Sequence, residues 1–204
     1  MSESYIQVPP DGAGKKVRAI QKTISANVVQ SQFAVRDSKR LILGAYAVVT
    51  PEVTTTAVTN YRIASIWNPN ASGKTVVVKR AIVSNRCSAA SAVNIIKLTF
   101  LTADVTGTDI SSTIAKKDST FGASIIVAKH TAVQTGTLGS DVAAYAKITT
   151  ASGSAELICD YNSANDSIEG QEIVLNANEG FVVQKLLAGD ADDRFTVCFE
   201  WVEY

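Results

Sequence analysis

The stretch Arg194–Tyr204, R-F-T-V-C-F-E-W-V-E-Y, decides the fold. Successive side chains of an extended chain point to opposite sides, so Phe195, Val197, Phe199 and Trp201 share one face. Thr196, Cys198 and Glu200 take the other. A strand this bulky must pair within a sheet, because an uncovered apolar edge is a template for aggregation. The end of the chain is therefore expected to close a β-core, with no catalytic tail.

Working back from that strand, period-two patterning recurs between turn signals. Tyr61, Ile63 and Trp67 alternate with Arg62, Ala64 and Ile66, and Ile96, Leu98 and Phe100 oppose Lys97 and Thr99. Further strands are expected over Val17–Thr23, Val28–Val35, Leu41–Val49, Thr75–Val83, Gly122–Lys129, Ala143–Thr149, Ala155–Tyr161, Ile168–Leu175 and Gly180–Leu187. Pro51 cannot donate to a ladder, so the strand before it stops there. Ser88–Val93 suggests one helical turn, and Ile110–Lys117 a short helix capped by Asp109 or Ser111. Residues 1–15, with Pro9-Pro10-Asp11-Gly12, read as turn and extended chain without a packed element.

Short strands at this spacing predict an all-β, jelly-roll-like β-sandwich over 59–204, preceded by an extended N-terminal arm over 1–58. Composition agrees. Apolar residues make up 46% and charged residues only 19%, and the apolar set is rich in β-branched types that suit a pleated surface. The arm has short strands and little to bury, so Val17, Ile20, Val29 and Phe33 are expected to contact a neighbouring subunit.

Nineteen basic residues balance nineteen acidic ones, leaving no global field to attract nucleic acid or an anionic membrane. No apolar run approaches the roughly 20 residues that span a bilayer, and Met1–Ser4 lacks the basic start of a secretory signal. Cys87, Cys159 and Cys198 have no metal-ligand spacing and read as reduced thiols of a protein made in the cytoplasm, although a Cys159–Cys198 bridge remains open.

Candidate chemistry fails on context. Ser72-Gly73-Lys74-Thr75 resembles the end of a phosphate-binding loop, but Asn68 stands where the first Gly belongs and Val76-Val77-Val78 follows in place of a helix. Asp11-Gly12-Ala13-Gly14-Lys15 lacks a preceding strand and a third Gly. His130 is the single histidine and has no nucleophile motif beside it. Asp190, Asp192 and Asp193 lack the spacing of a calcium loop and read as a solvated hairpin loop. Glu200 and Glu203 read as solvent-facing or interface charges. Tyr61, Trp67 and Trp201 offer the residue types of a sugar-stacking platform, but their strand positions favour packing. No catalytic residue, cofactor site or metal site is expected.

Three blocks together resemble virion structural proteins of tailed bacteriophages, of the β-sandwich head-decoration, neck and tail-associated type. They are the arm with Asp11-Gly12-Ala13-Gly14-Lys15, the Ile66-Trp67-Asn68-Pro69 and Ser72-Gly73-Lys74 strand-turn, and the run Ile173-Val174-Leu175, Glu179-Gly180-Phe181-Val182-Val183 and Phe199-Glu200-Trp201. The resemblance implies a non-enzymatic protein, a homo-oligomer and often a trimer, attached to the major capsid protein or other virion proteins. Its expected location is the virion, after synthesis in the bacterial cytoplasm. Within that group a capsid decoration (cement) role leads. A neck or tail-associated role and a receptor- or glycan-binding module of a fibre are the alternatives.

Overall fold

A computed structural model describes residues 3–7, 16–24, 27–32, 42–55, 58–86, 93–130, 137–148, 155–163, 172–188 and 193–204. The chain divides into two compact units, Met1–Arg40 and Leu41–Tyr204. This division precedes the boundary expected at residue 58, because the segment between them pairs into the larger unit.

The N-terminal unit contains an antiparallel sheet in the order β1 (Glu3–Gln7), β2 (Lys16–Ile24), β3 (Asn27–Gln32). Its first strand was not expected from the sequence, where residues 1–15 read as turn and extended chain. Val17 pairs with Ile6, Ile20 lies between Glu3 and Ser31, and Val29 pairs with Lys22. Phe33 lies outside the described residues.

The larger unit is a sandwich of two antiparallel sheets. The first contains β4 (Gly44–Val49), β5 (Val53–Thr54), β7 (Val76–Arg86), β10 (Ala115–Lys116), β13 (Ala155–Asn162), β14 (Ile173–Leu175) and β16 (Arg194–Glu203). The second contains β6 (Tyr61–Asn68), β8 (Val93–Leu101), β9 (Thr108–Asp109), β11 (Val127–His130), β12 (Leu138–Ile148) and β15 (Glu179–Lys185). Eight principal strands nest: β4 pairs with β16, β6 with β15, β7 with β13 and β8 with β12. The pairings β16–β7 and β15–β8 then join these hairpins into the orders β4-β16-β7-β13 and β6-β15-β8-β12.

Pro51 does interrupt an edge, as expected. β4 pairs with the second half of β16, and the chain resumes after the proline as β5 against Arg194 and Phe195. The expected helix over Ile110–Lys117 is instead a 3-10 turn at Ser111–Thr113 followed by β10. Ala115 and Lys116 pair with Ala47 and Tyr46, so sheet pairing overrides local helix preference. The expected strand over Gly122–Lys129 forms only from Val127.

The core fills the space between the sheets. Phe195, Val197, Phe199 and Trp201 are buried, facing Ile63, Ile66, Ile96, Leu98, Phe181 and Val183 of the second sheet. Phe181 meets Phe199 edge to face across the sandwich, with ring centroids 6.2 Å apart, while Trp201 stacks on Tyr46 at 5.9 Å. Trp67, Leu101, Val105 and Val182 form a smaller cluster on the other side of the second sheet.

Phe181→Ala removes the aromatic that links both sheets, and is expected to destabilise the protein by about 3–5 kcal/mol. Equilibrium denaturant unfolding measures this, with Val49→Ala, at an exposed position, expected to change little.

Candidate functional site

Two buried polar clusters occupy opposite ends of strands in the sandwich. They are the places where charged side chains leave water. At one end, Lys185 continues the inward row of β15 after Phe181 and Val183, and is fully buried. Its Nζ lies 3.6 Å from Oδ2 of Asp193, also fully buried, and donates to Thr55 Oγ1 at 2.9 Å. The Thr55 hydroxyl and backbone N–H in turn donate to the Asp193 carbonyl, at 3.2 and 2.8 Å. The ammonium also lies 5.7 Å from the centroid of Phe195. Thus Asp193 is not part of a solvated loop as expected. The lysine beneath it requires a buried counter-charge. Asp190 and Asp192 lie outside the described residues.

At the other cluster, Glu203 extends the inward row of β16 beyond Trp201 and is fully buried. This corrects the expectation of a solvent-facing or interface charge. One carboxylate oxygen takes a 2.7 Å ion pair from Lys74. The other accepts from the Ser124 hydroxyl at 2.6 Å and the Ile125 backbone N–H at 3.1 Å. The Tyr46 hydroxyl donates to the Gly122 carbonyl at 3.1 Å, and burial followed by the Glu203 charge pushes that phenol above its ordinary pKa. The carboxylate therefore anchors the backbone just before β11, which begins at Val127.

The same cluster disposes of the phosphate-loop resemblance. Lys74 Nζ is committed to Glu203, Ser72 Oγ bonds the Lys74 backbone, and the chain enters β7 directly afterwards. His130 sits half-buried at the end of β11, paired with Ala64 and Thr108, and burial lowers its pKa, favouring the neutral ring. Among the described residues, no group of three or more His, Cys, Asp or Glu side chains is placed to hold a metal ion. Trp201 lies in the main core and Trp67 in the smaller cluster, so the aromatic residues form no shared platform.

The thiols stand apart. Cys159 is buried and donates to the Ala81 carbonyl, while Cys198 is half-buried on the other face of the first sheet, and both are free. Cys87 lies outside the described residues. Burial pushes the Cys159 thiol up to about 11.

On the outer faces, charged groups pair locally. Arg80 forms a two-point contact with Asp160, Glu52 bridges Arg86 and Arg194, and Lys117 meets Glu200. On the second sheet Lys129 meets Asp104 and Lys97 meets Asp141. Such exposed pairs add little stability. Sequence reasoning did not find the burial of Lys185 and Glu203; Glu203 sits at an inward position of the cleanly alternating β16, whereas β15 is buried on both faces. For Glu203 that parity was the available signal.

Two results are expected. Asp193→Ala, which strands a buried ammonium, costs about 3–5 kcal/mol in denaturant unfolding, whereas Lys185→Met with Asp193→Leu costs much less. In the folded protein at pH 8, iodoacetamide labels Cys198 before Cys159 by mass spectrometry, and Cys159 reacts fully only after unfolding.

Compared with known proteins, the chain has no significant match to any family model, curated sequence or solved structure.

Proposed function

We propose that the protein is a non-enzymatic structural component of a phage virion, a capsid decoration protein that binds the outer surface of the shell and stabilises it. The observation that carries this reading is the nested pairing of eight strands. First pairs with last, second with second-last, and so inward, which is the connectivity of a jelly roll rolled up from one long hairpin. We take the larger unit to be one. Jelly rolls serve viral shells and lectins, and the link from this fold to that role is analogy.

Three further features favour a particle component over an enzyme or a glycan receptor. The inward charges, Lys185 with Asp193 and Glu203 with Lys74, are consumed in holding strands and loops together. The tryptophans are packed in clusters instead of presented to a sugar. Among its described residues the N-terminal unit contains a single three-stranded sheet, at the lower limit of strand number for a sheet stable by itself. In this reading the N-terminal unit, with Val17, Ile20, Val29 and Phe33, engages a neighbouring virion protein, and the jelly roll faces outward as one member of a homo-oligomer. Stabilisation follows from mass action: a protein that binds assembled shell and not free subunits shifts the balance toward the shell.

The test is co-sedimentation with purified particles. The full chain is expected to pellet with them in a copy number matching the shell's subunits, and a variant lacking residues 1–40 is expected to stay in the supernatant. A protein that never pellets with particles would overturn the proposal.

A further inference from the structure

Among the ion pairs of the described residues, Lys185 with Asp193 is the one in which both side chains are fully buried. In the Lys74–Glu203 pair the lysine side chain stays 22% exposed, and Ser124 and Ile125 also hold the carboxylate. Lys185 has no such outlet to water. Its Nζ is held by the Thr55 hydroxyl at 2.9 Å, beside the ring of Phe195. Asp193 is fixed in turn, because its carbonyl accepts from both the N–H and the hydroxyl of Thr55. The Nζ–Oδ2 distance of 3.6 Å is long for a charge-assisted hydrogen bond, which runs at about 2.7–2.9 Å. Oδ2 is bonded to the carboxyl carbon, so a short movement of Nζ brings that carbon within attacking distance, about 3–3.5 Å.

We propose that Lys185 and Asp193 condense into an amide, an intramolecular isopeptide cross-link between the two sheets of the larger unit. The ion pair is the state before reaction. The ammonium passes one proton to the carboxylate, leaving an amine and a carboxylic acid. The nitrogen lone pair then attacks the carboxyl carbon and forms the N–C bond. The carboxyl C–O bond breaks, and the hydroxyl leaves with a second amine proton as one water molecule. The product keeps one N–H and one carbonyl and carries no charge. No oxidant, reductant or activating group enters this balance.

Burial supplies the driving force. Two buried ions carry a large desolvation penalty, and a neutral amide does not. Holding both groups in one place adds the proximity that a free amine and acid lack in water. The amide N–H inherits the Thr55 hydroxyl as its acceptor, since Nζ already donates there. Hydrolysis back to the acid needs water at a site where both side chains are fully buried. The partly exposed pairs of the outer faces meet none of these conditions, because solvent stabilises their ions. The link joins the last residue of β15, in the second sheet, to the residue that leads into β16, in the first. The central strand of the first sheet is thereby tethered where it begins. The inference is independent of particle binding.

The experiment is intact-mass spectrometry of the full chain, purified folded and followed through prolonged incubation at neutral pH. The protein is expected to become lighter than its sequence by the mass of one water molecule. Tryptic digestion then locates the link. Trypsin does not cut after an amidated lysine, so residues 148–194 are expected to emerge as one peptide, closed into a ring between Lys185 and Asp193. A succinimide at an aspartate also loses water, but it leaves the cut after Lys185 intact. Lys185→Met with Asp193→Leu is expected to keep its full mass under the same incubation. A native chain that keeps its full mass and is cut after Lys185 overturns the proposal. A loss of water that persists in the double variant does so as well.

Discussion

The row Phe195, Val197, Phe199 and Trp201, buried against the second sheet, is the contact on which the rest of the larger unit depends. β16 is flanked by β4 and β5 on one side and by β7 on the other, so the final strand of the chain is a central strand of its sheet. It cannot take that place until the strands around it exist. The nested pairing makes nearly every sheet contact long in sequence, which imposes loop-closure costs before burial compensates them. Slow folding and a cooperative native state follow from the same topology.

The two ends of the row show how charge is used inside this fold. Glu203 extends it at one end and binds Lys74, Ser124 and the Ile125 backbone. At the other, Asp193 begins it and faces Lys185. In both, the charge is matched by an opposite charge, and hydrogen bonds at the same cluster tie in neighbouring backbone. A buried pair of this kind is costly to break, because removing one partner leaves the other charge buried alone.

Most of the β-pattern was legible because period two is a strong signal where apolar and polar residues alternate cleanly, as in Arg194–Trp201. Over Tyr61–Trp67 the strand was legible but its expected faces were not, since a register shift puts Ile63, Ala64 and Ile66 in the main core and Trp67 in the smaller cluster. What escaped did so for physical reasons. β1 sits beside Pro9, Pro10 and Gly12, whose turn chemistry dominates a local reading, and it forms by pairing with β2. The Ile110–Lys117 segment has local helix signals, but it lies along the β4 edge, where tertiary pairing takes over. Glu203 was read by residue type, as a solvent-facing or interface charge, instead of by parity, and Lys185 was not singled out within its strand. Their burial needs partners distant in sequence, Lys74 and Ser124 for one and Thr55 for the other, and no local window contains them.

Native-state hydrogen exchange followed strand by strand tests the closing role of β16 most directly. The account predicts that amides of Val197–Val202 exchange only through global unfolding, with the slowest rates in the protein and the same free energy as denaturant unfolding. Exchange of those amides through a cheaper local opening, while β7 and β15 remain protected, would contradict it.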